Sequence, residues 1–140
     1  MEIEADSKKF LTIEEANRII ATLEVKVLKL QELNKAIAML RSVTFEYEDE
    51  HQNLVSAVKL NQQFHTLSSE FYMILNTLLN TGCVVKDIET GLVDFYSSHD
   101  NRIICLCWQL GEKNIQFWHE TDAGAQGRKP LAQLRQQSVE

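Results

Sequence analysis

From Ile13 to Ile37 the apolar residues Ile13, Ala16, Ile20, Leu23, Val27, Leu30 and Ile37 recur at helical spacing, with no glycine or proline before residue 43. That spacing keeps one face of a 3.6-residue helix apolar, so it predicts one long amphipathic helix. Just ahead, Thr12-Ile13-Glu14-Glu15 has the T-x-x-E form of a capping box, whose hydroxyl and carboxylate satisfy the free amides of a helix start. At ~1.5 Å per residue, roughly thirty residues reach about 45 Å. A compact domain of 140 residues does not need that length, so part of the helix must pack on another helix or another chain.

A second helical pattern carries Leu54, Ala57, Val58, Phe64, Leu67, Phe71, Leu75 and Leu78. It is expected to start in the acidic stretch Glu46 to Glu50, where carboxylates suit the helix dipole, and to stop at Gly82. The short connection around residues 43–47 folds the two helices into an antiparallel hairpin. Asn34, Asn61 and His65 fall on or beside the apolar seam and read as polar positions that fix its register. Glu48 and His51 form a single E-x-x-H, whereas a di-iron bundle needs two, so this stretch reads as a solvated helix start.

After Gly82 the period drops to two. CVVKDIE and LVDFY, separated by Thr90-Gly91, read as one hairpin, and RIICLCWQL and NIQFWHE, separated by Gly-Glu-Lys, as another, with the turn-rich SSHDN between them. The fold class is therefore α+β: a long antiparallel helical hairpin packed on a small four-stranded antiparallel sheet. Residues 1–140 read as a single domain, with the helical hairpin at 13–82, the sheet at 83–122, and a loop and C-terminal tail at 123–140.

Pairing Leu110 with Ile115 sets Trp108 opposite Phe117 and Leu106 opposite His119 on the face that receives the helices. The other face then holds Cys107 opposite Trp118 and Cys105 opposite Glu120, with Lys86, Asp94, Ile88 and Leu92 beside them if Val85, Val93 and Phe95 face the core. Ile88, Leu92, Cys107 and Trp118 would form an apolar row that needs a cover, either the segment Leu131 to Leu134 or a second copy of the chain. A slip of one residue would exchange the faces.

The stretch FWHETDAGAQGRK, residues 117–129, gathers the most chemistry. Asp94, Glu112, His119, Glu120, Asp122 and Arg128 are the candidate ligand or metal site, with His119 expected at the edge of the core. Neighbouring strand residues point to opposite faces, which argues against His119 and Glu120 ligating one metal together. Gly124, Gly127, Arg128 and Lys129 have the G-x-x-G form followed by two cations, a short signal for an anion loop that a plain turn also explains. In that turn Arg128 is expected to form an exposed charge pair with Asp122 or Glu120.

A net charge of −6 disfavours general binding to nucleic acid or an anionic membrane surface. The opening MEIEADSKKF has no apolar stretch after a basic region, and no later run approaches the ~18 apolar residues of a membrane span. The expectation is a cytoplasmic protein with no membrane partner. Cys83, Cys105 and Cys107 are odd in number, and Cys105 and Cys107 share one side of a strand, so reduced, buried thiols are expected. No sequence feature names a cofactor.

KDIETGLVDF, CWQLGE, FWHETDAG and GRKPL, in that order and after FLTIEEAN, resemble the prokaryotic family called domain of unknown function 2203 over residues 10–131. The chain departs from that family at Tyr96, where proline is frequent, at Ala125, where an aromatic is common, and in lacking a proline in the first helix. The resemblance implies a helical hairpin followed by a small antiparallel sheet, and it implies no activity. Three functions remain open: a non-enzymatic binding or assembly protein that self-associates through the hairpin and carries a polar site at the end of the sheet; a metal- or acid/base-dependent enzyme using His119 and nearby carboxylates; and binding of phosphate or nucleic acid by the G-x-x-G-R-K loop.

Overall fold

A computed structural model describes residues 9–48 and 54–138. It contains the helix α1 (Ile13–Glu48), the helix α2 (Leu54–Asn80), the strands β1 (Val84–Asp87), β2 (Leu92–His99), β3 (Arg102–Gln109), β4 (Phe117–Glu120) and β5 (Lys129–Pro130), and the helix α3 (Leu131–Ser138). The strands form one antiparallel meander in the order β1-β2-β3-β4-β5, so the α+β architecture expected from the sequence holds with one short strand added at the edge. No helix among the described residues is long and apolar enough to cross a membrane.

Helix α1 starts where the capping box places it. The Thr12 amide donates to Glu15 Oε1 at 2.9 Å, and the Glu15 amide donates to Thr12 Oγ1 at 3.1 Å. The backbone and side-chain hydrogen bonds with Thr12 hold the Glu15 carboxyl below its ordinary 4.5. The lowered value means this contribution is present above pH 4.5 and is lost as pH falls through the folded-state value. The buried face, Ala16, Ile20, Leu23, Val27, Leu30, Leu33 and Ile37, follows the sequence pattern, residues 38–43 are not buried, and the helix runs on to Glu48. At ~1.5 Å per residue its 36 residues span about 54 Å. Glu46 to Glu48 are therefore not the start of α2: they continue α1 through the connection expected at 43–47. Asp49, Glu50 and His51 lie outside the described residues, and with His51 the E-x-x-H pair.

Helix α2 packs on the core from Phe64 onward, where Phe71 and Leu78 are buried and Phe64, Leu67, Ile74 and Leu75 pack against it. Of the polar seam residues, Asn34 is half-buried while Asn61 and His65 are exposed at the edge. The helix ends in a Schellman turn: Gly82, at φ +96°, donates to the Leu79 carbonyl at 3.1 Å, and Cys83 donates to that of Leu78 at 2.8 Å.

Within the sheet, Val85 pairs with Val93, and Val93 and Phe95 face the helices as expected. A bulge between Val85 and Asp87 turns Ile88 against the core as well, away from the face assigned to it. Asp87 accepts the Glu89 amide at 3.2 Å and the Thr90 hydroxyl at 2.9 Å, and Gln31 on α1 donates to the Ile88 and Glu89 carbonyls at 2.9 and 3.1 Å. Strand β2 extends through Ser97, Ser98 and His99, so the turn to β3 is only Asp100-Asn101, both at positive φ.

The second hairpin differs by one residue. Ile104 pairs with Glu120, Cys105 with His119, Leu106 with Trp118 and Cys107 with Phe117. Leu110 and Ile115 do not pair; residues 110–116 form a longer loop. In it Ile115 leaves the sheet, buries its side chain and donates its amide to Asn17 Oδ1 of α1 at 2.7 Å. Trp108 Nε1 holds the loop by donating to the Glu112 carbonyl at 2.8 Å. The slip exchanges the faces of β4. Trp118 joins Leu106 and Trp108 in the core, while His119 moves to the opposite face. Ile88, Leu92, Cys107 and Trp118 consequently form no exposed row, and Leu131 and Leu134 of α3 share the core cluster that contains Trp118.

Gly91 fixes where the two hairpins meet. Its φ is +71°, and an added Cβ would lie 2.6 Å from Leu110 Cβ and 3.3 Å from Val27 Cγ1. Gly91→Ala is expected to destabilise the protein by about 2–4 kcal/mol, combining left-handed backbone strain with overpacking, as read from the urea unfolding midpoint.

Candidate functional site

The face of the sheet turned away from the helices carries Asp94 on β2, Cys105 and Cys107 on β3, and His119 on β4, all buried. Strand alternation and register bring them together: Asp94 pairs directly with Cys107, and Cys105 directly with His119. One donor atom each from Asp94, Cys107 and His119 lie within 4.8 Å of one another.

Hydrogen-bond chemistry fixes the protons at His119. Its Nδ1 lies 2.7 Å from the Glu120 carbonyl oxygen, which can only accept, so Nδ1 carries a proton and donates it. Nε2 lies 3.1 Å from Asp94 Oδ2, and that contact requires one further proton shared between imidazole and carboxyl. The other oxygen, Asp94 Oδ1, is buried with no hydrogen-bond partner. Burial, and next the nearby Asp94 charge, push the Cys107 thiol up to about 11, against the opposing pull of Arg128. It is therefore a protonated, weakly nucleophilic thiol at neutral pH. Burial likewise raises Cys83, and no disulfide joins Cys83, Cys105 and Cys107.

A polar clasp closes one side of this cluster. Arg128 Nη2 donates to Glu112 Oε1 at 2.8 Å and to the Cys107 carbonyl at 3.2 Å, and its guanidinium carbon stands 4.1 Å from the Phe117 ring centroid. Glu112 Oε1 also accepts the Gln109 amide at 2.7 Å. Burial opposes the Arg128 charge, but the Glu112 hydrogen bond and its neighbours outweigh burial and raise its value.

The candidates chosen from sequence therefore divide. Asp94 and His119 come together, and Arg128 and Glu112 form the clasp beside them. Glu120 faces the helix side of the sheet and takes a bidentate bond from Arg102 at 2.8 and 2.9 Å. Asp122 is exposed in the following turn. Arg128 pairs with neither Glu120 nor Asp122, because its direction is inward. Cys107, read from sequence only as an apolar neighbour of Trp118, belongs to the cluster. The signal for it was the F-W-H-E alternation: burying the tryptophan against the helices puts His119 on the face of Cys107.

In the loop with Gly124, Gly127, Arg128 and Lys129, one amide and both cations have partners within the protein. The Gly127 amide donates to the Gly124 carbonyl at 3.0 Å, Arg128 is held in the clasp, and Lys129 Nζ stands 5.0 Å from the Trp118 ring.

The model of the family described as uncharacterized conserved protein (DUF2203) matches residues 9–131. No curated protein and no solved structure matches the chain.

Removing the clasp should cost more than the loss of an exposed ion pair. Hydrogen bonds from a charged group contribute ~1.5–3 kcal/mol, so Arg128→Ala is expected to lower stability by about 2–3 kcal/mol. Hydrogen exchange should show residues 121–130 losing protection first, with urea unfolding giving the magnitude.

Proposed function

For this chain, which belongs to the uncharacterised DUF2203 family, we propose a non-enzymatic binding and assembly role, with the ligand held by Asp94, Cys107 and His119 beneath the Arg128 clasp. The observation that carries this reading is Asp94 Oδ1, a carboxylate oxygen buried without a partner beside a histidine and a thiol. An unsatisfied buried polar atom costs ~1–3 kcal/mol, and more when it is charged. A ligand that bonded to this oxygen would offset that cost. Binding is favoured over catalysis because Cys107 is protonated at neutral pH, and because the Asp94 and His119 side chains are only 5% and 2% exposed. Such closure suits retention better than rapid exchange of substrate. Entry requires the loop carrying Arg128 to lift away from Glu112 and the Cys107 carbonyl.

The assembly part of the proposal lies at the other end of the molecule. Past Ile37 on α1, Met39 is 71% exposed, and in the first turn of α2 Leu54 is 81% and Val55 60% exposed. The groove between the helices there is lined by Ala36, Leu40, Leu60 and Leu67, among others. A second copy of the same hairpin would cover this surface, two helices from each chain making a four-helix unit.

The binding reading is tested by native mass spectrometry of protein purified from cells without denaturation. Wild type is expected to carry an additional mass that unfolding releases and that Asp94→Asn reduces; the bare polypeptide mass alone would refute it. For assembly, light scattering should give the mass of a dimer for wild type and of a monomer for the Met39→Glu, Val55→Glu double variant. A monomeric wild type would remove that part of the proposal.

A further inference from the structure

We infer that Asp94, Cys107 and His119 form a binding site for a single thiophilic divalent cation of the zinc class. The inference rests on the binding reading above and goes further by naming the ligand.

Three observations converge on it. The first is the donor set. A carboxylate, a thiol and an imidazole are all ligands of Zn²⁺, whose bonds are ~2.3 Å to sulfur and ~2.0–2.2 Å to nitrogen and oxygen. Tetrahedral angles then place neighbouring donors roughly 3.3–3.6 Å apart. His119 Nε2 and Asp94 Oδ2 stand 3.1 Å apart, and all three donors lie within 4.8 Å of one another, so side-chain rotations on fixed strands close the remaining gap.

The second is orientation. A histidine that ligates through one ring nitrogen commonly donates from the other to an oxygen, which fixes its tautomer. Here Nδ1 makes that bond to the Glu120 carbonyl at 2.7 Å, leaving Nε2 turned toward Asp94. Asp94 adds its unpartnered Oδ1.

Charge is the third. With Cys107 as thiolate, Asp94 ionised and His119 neutral, the ligands balance a divalent cation. The adjacent Arg128 is itself balanced by Glu112 at 2.8 Å, so the guanidinium does not stand as an unopposed positive charge beside the ion. On binding, the cation replaces the proton shared by His119 and Asp94 and the thiol proton of Cys107, and both protons leave to solvent. No electron is transferred. Three protein ligands leave the fourth tetrahedral position to water or another small donor.

The test titrates the full chain, first stripped with a chelator, with Zn²⁺ and separately with Co²⁺, following bound metal by elemental analysis. One ion per chain is expected, with a higher melting temperature and, for Co²⁺, thiolate-to-metal charge-transfer absorption that Cys107→Ser abolishes. Outer-shell partners alone carry ~10–100-fold in metal affinity, so Cys107→Ser and His119→Ala should each weaken Zn²⁺ binding by more than about 100-fold. Cys83→Ser, which lies at the start of the sheet beside Thr81, should leave it unchanged. Circular dichroism establishes that each variant is folded; if His119→Ala is not, Asp94→Asn takes its place, keeping the side-chain shape while removing the charge. Failure of the folded wild type to take up either metal, or uptake that survives Cys107→Ser, overturns the inference. If no metal binds while the native mass spectrum still shows a bound species dependent on Asp94, the cation is wrong and the binding reading stands. If neither appears, both fall.

Discussion

Ile115 brings two needs that a sheet position could not meet together here, a large apolar side chain to bury and an amide to bond, and α1 meets both. Asn17 accepts the amide at 2.7 Å, and the side chain enters the core beside the helix. Taking Ile115 out of the ladder lengthens the β3–β4 connection and shifts the pairing by one. Because strand side chains alternate, that single shift governs all of β4. Trp118 becomes core, and His119 crosses to the face where Asp94 and Cys107 already stand. The polar cluster is thus a consequence of how one loop residue is accommodated, some distance along the chain from the residues that form it.

Local signals in the sequence read well where the interaction that matters is also local. The Thr12–Glu15 capping box, the stop at Gly82 and the spacing of Ala16 through Ile37 depend only on neighbours a few positions away, and each appears in the structure. The end of α1 was harder to read: the acidic Glu46 to Glu48 suit a helix start, yet no glycine or proline interrupts the chain there, and the helix continues through them. Register across residues 110–116 depended on Asn17, almost a hundred positions earlier, and no local pattern carries that information. The candidate site was legible as a set of residue types near FWHE and Arg128, but not as a constellation. Asp94 and Arg128 were in the set, whereas Cys107 was assigned to the wrong neighbours because the faces of β4 were exchanged. The fifth strand, only Lys129 and Pro130, is too short to leave a periodic trace.

The two faces of the sheet divide the work of the molecule. On the helix side, Val93, Phe95, Leu106, Trp108 and Trp118 supply nonspecific apolar burial. On the other side the same strands bury a carboxyl, two thiols and an imidazole, groups whose desolvation costs energy unless each finds a partner. Arg128, with Phe117 under its guanidinium and Glu112 at its tip, adds a charged clasp on that side. A polar cover can be exchanged with water far more readily than a packed apolar one, so opening this side need not disturb the core beneath the helices.

The two polar anchors on α1 constrain the history of the helix itself. Asn17 holds the β3–β4 loop and Gln31 holds the β1–β2 turn, both at the same end of the meander. Between them the helix has a fixed length and a fixed phase. One inserted residue would rotate everything beyond it by about 100° and turn either Gln31 or Asn17 away from its loop. From Ala38 to Val43 no buried residue imposes such a phase on α1. Lineages carrying this fold should therefore conserve chain length between the anchors even where residues change, and should gather their insertions and deletions at the overhanging end of the hairpin.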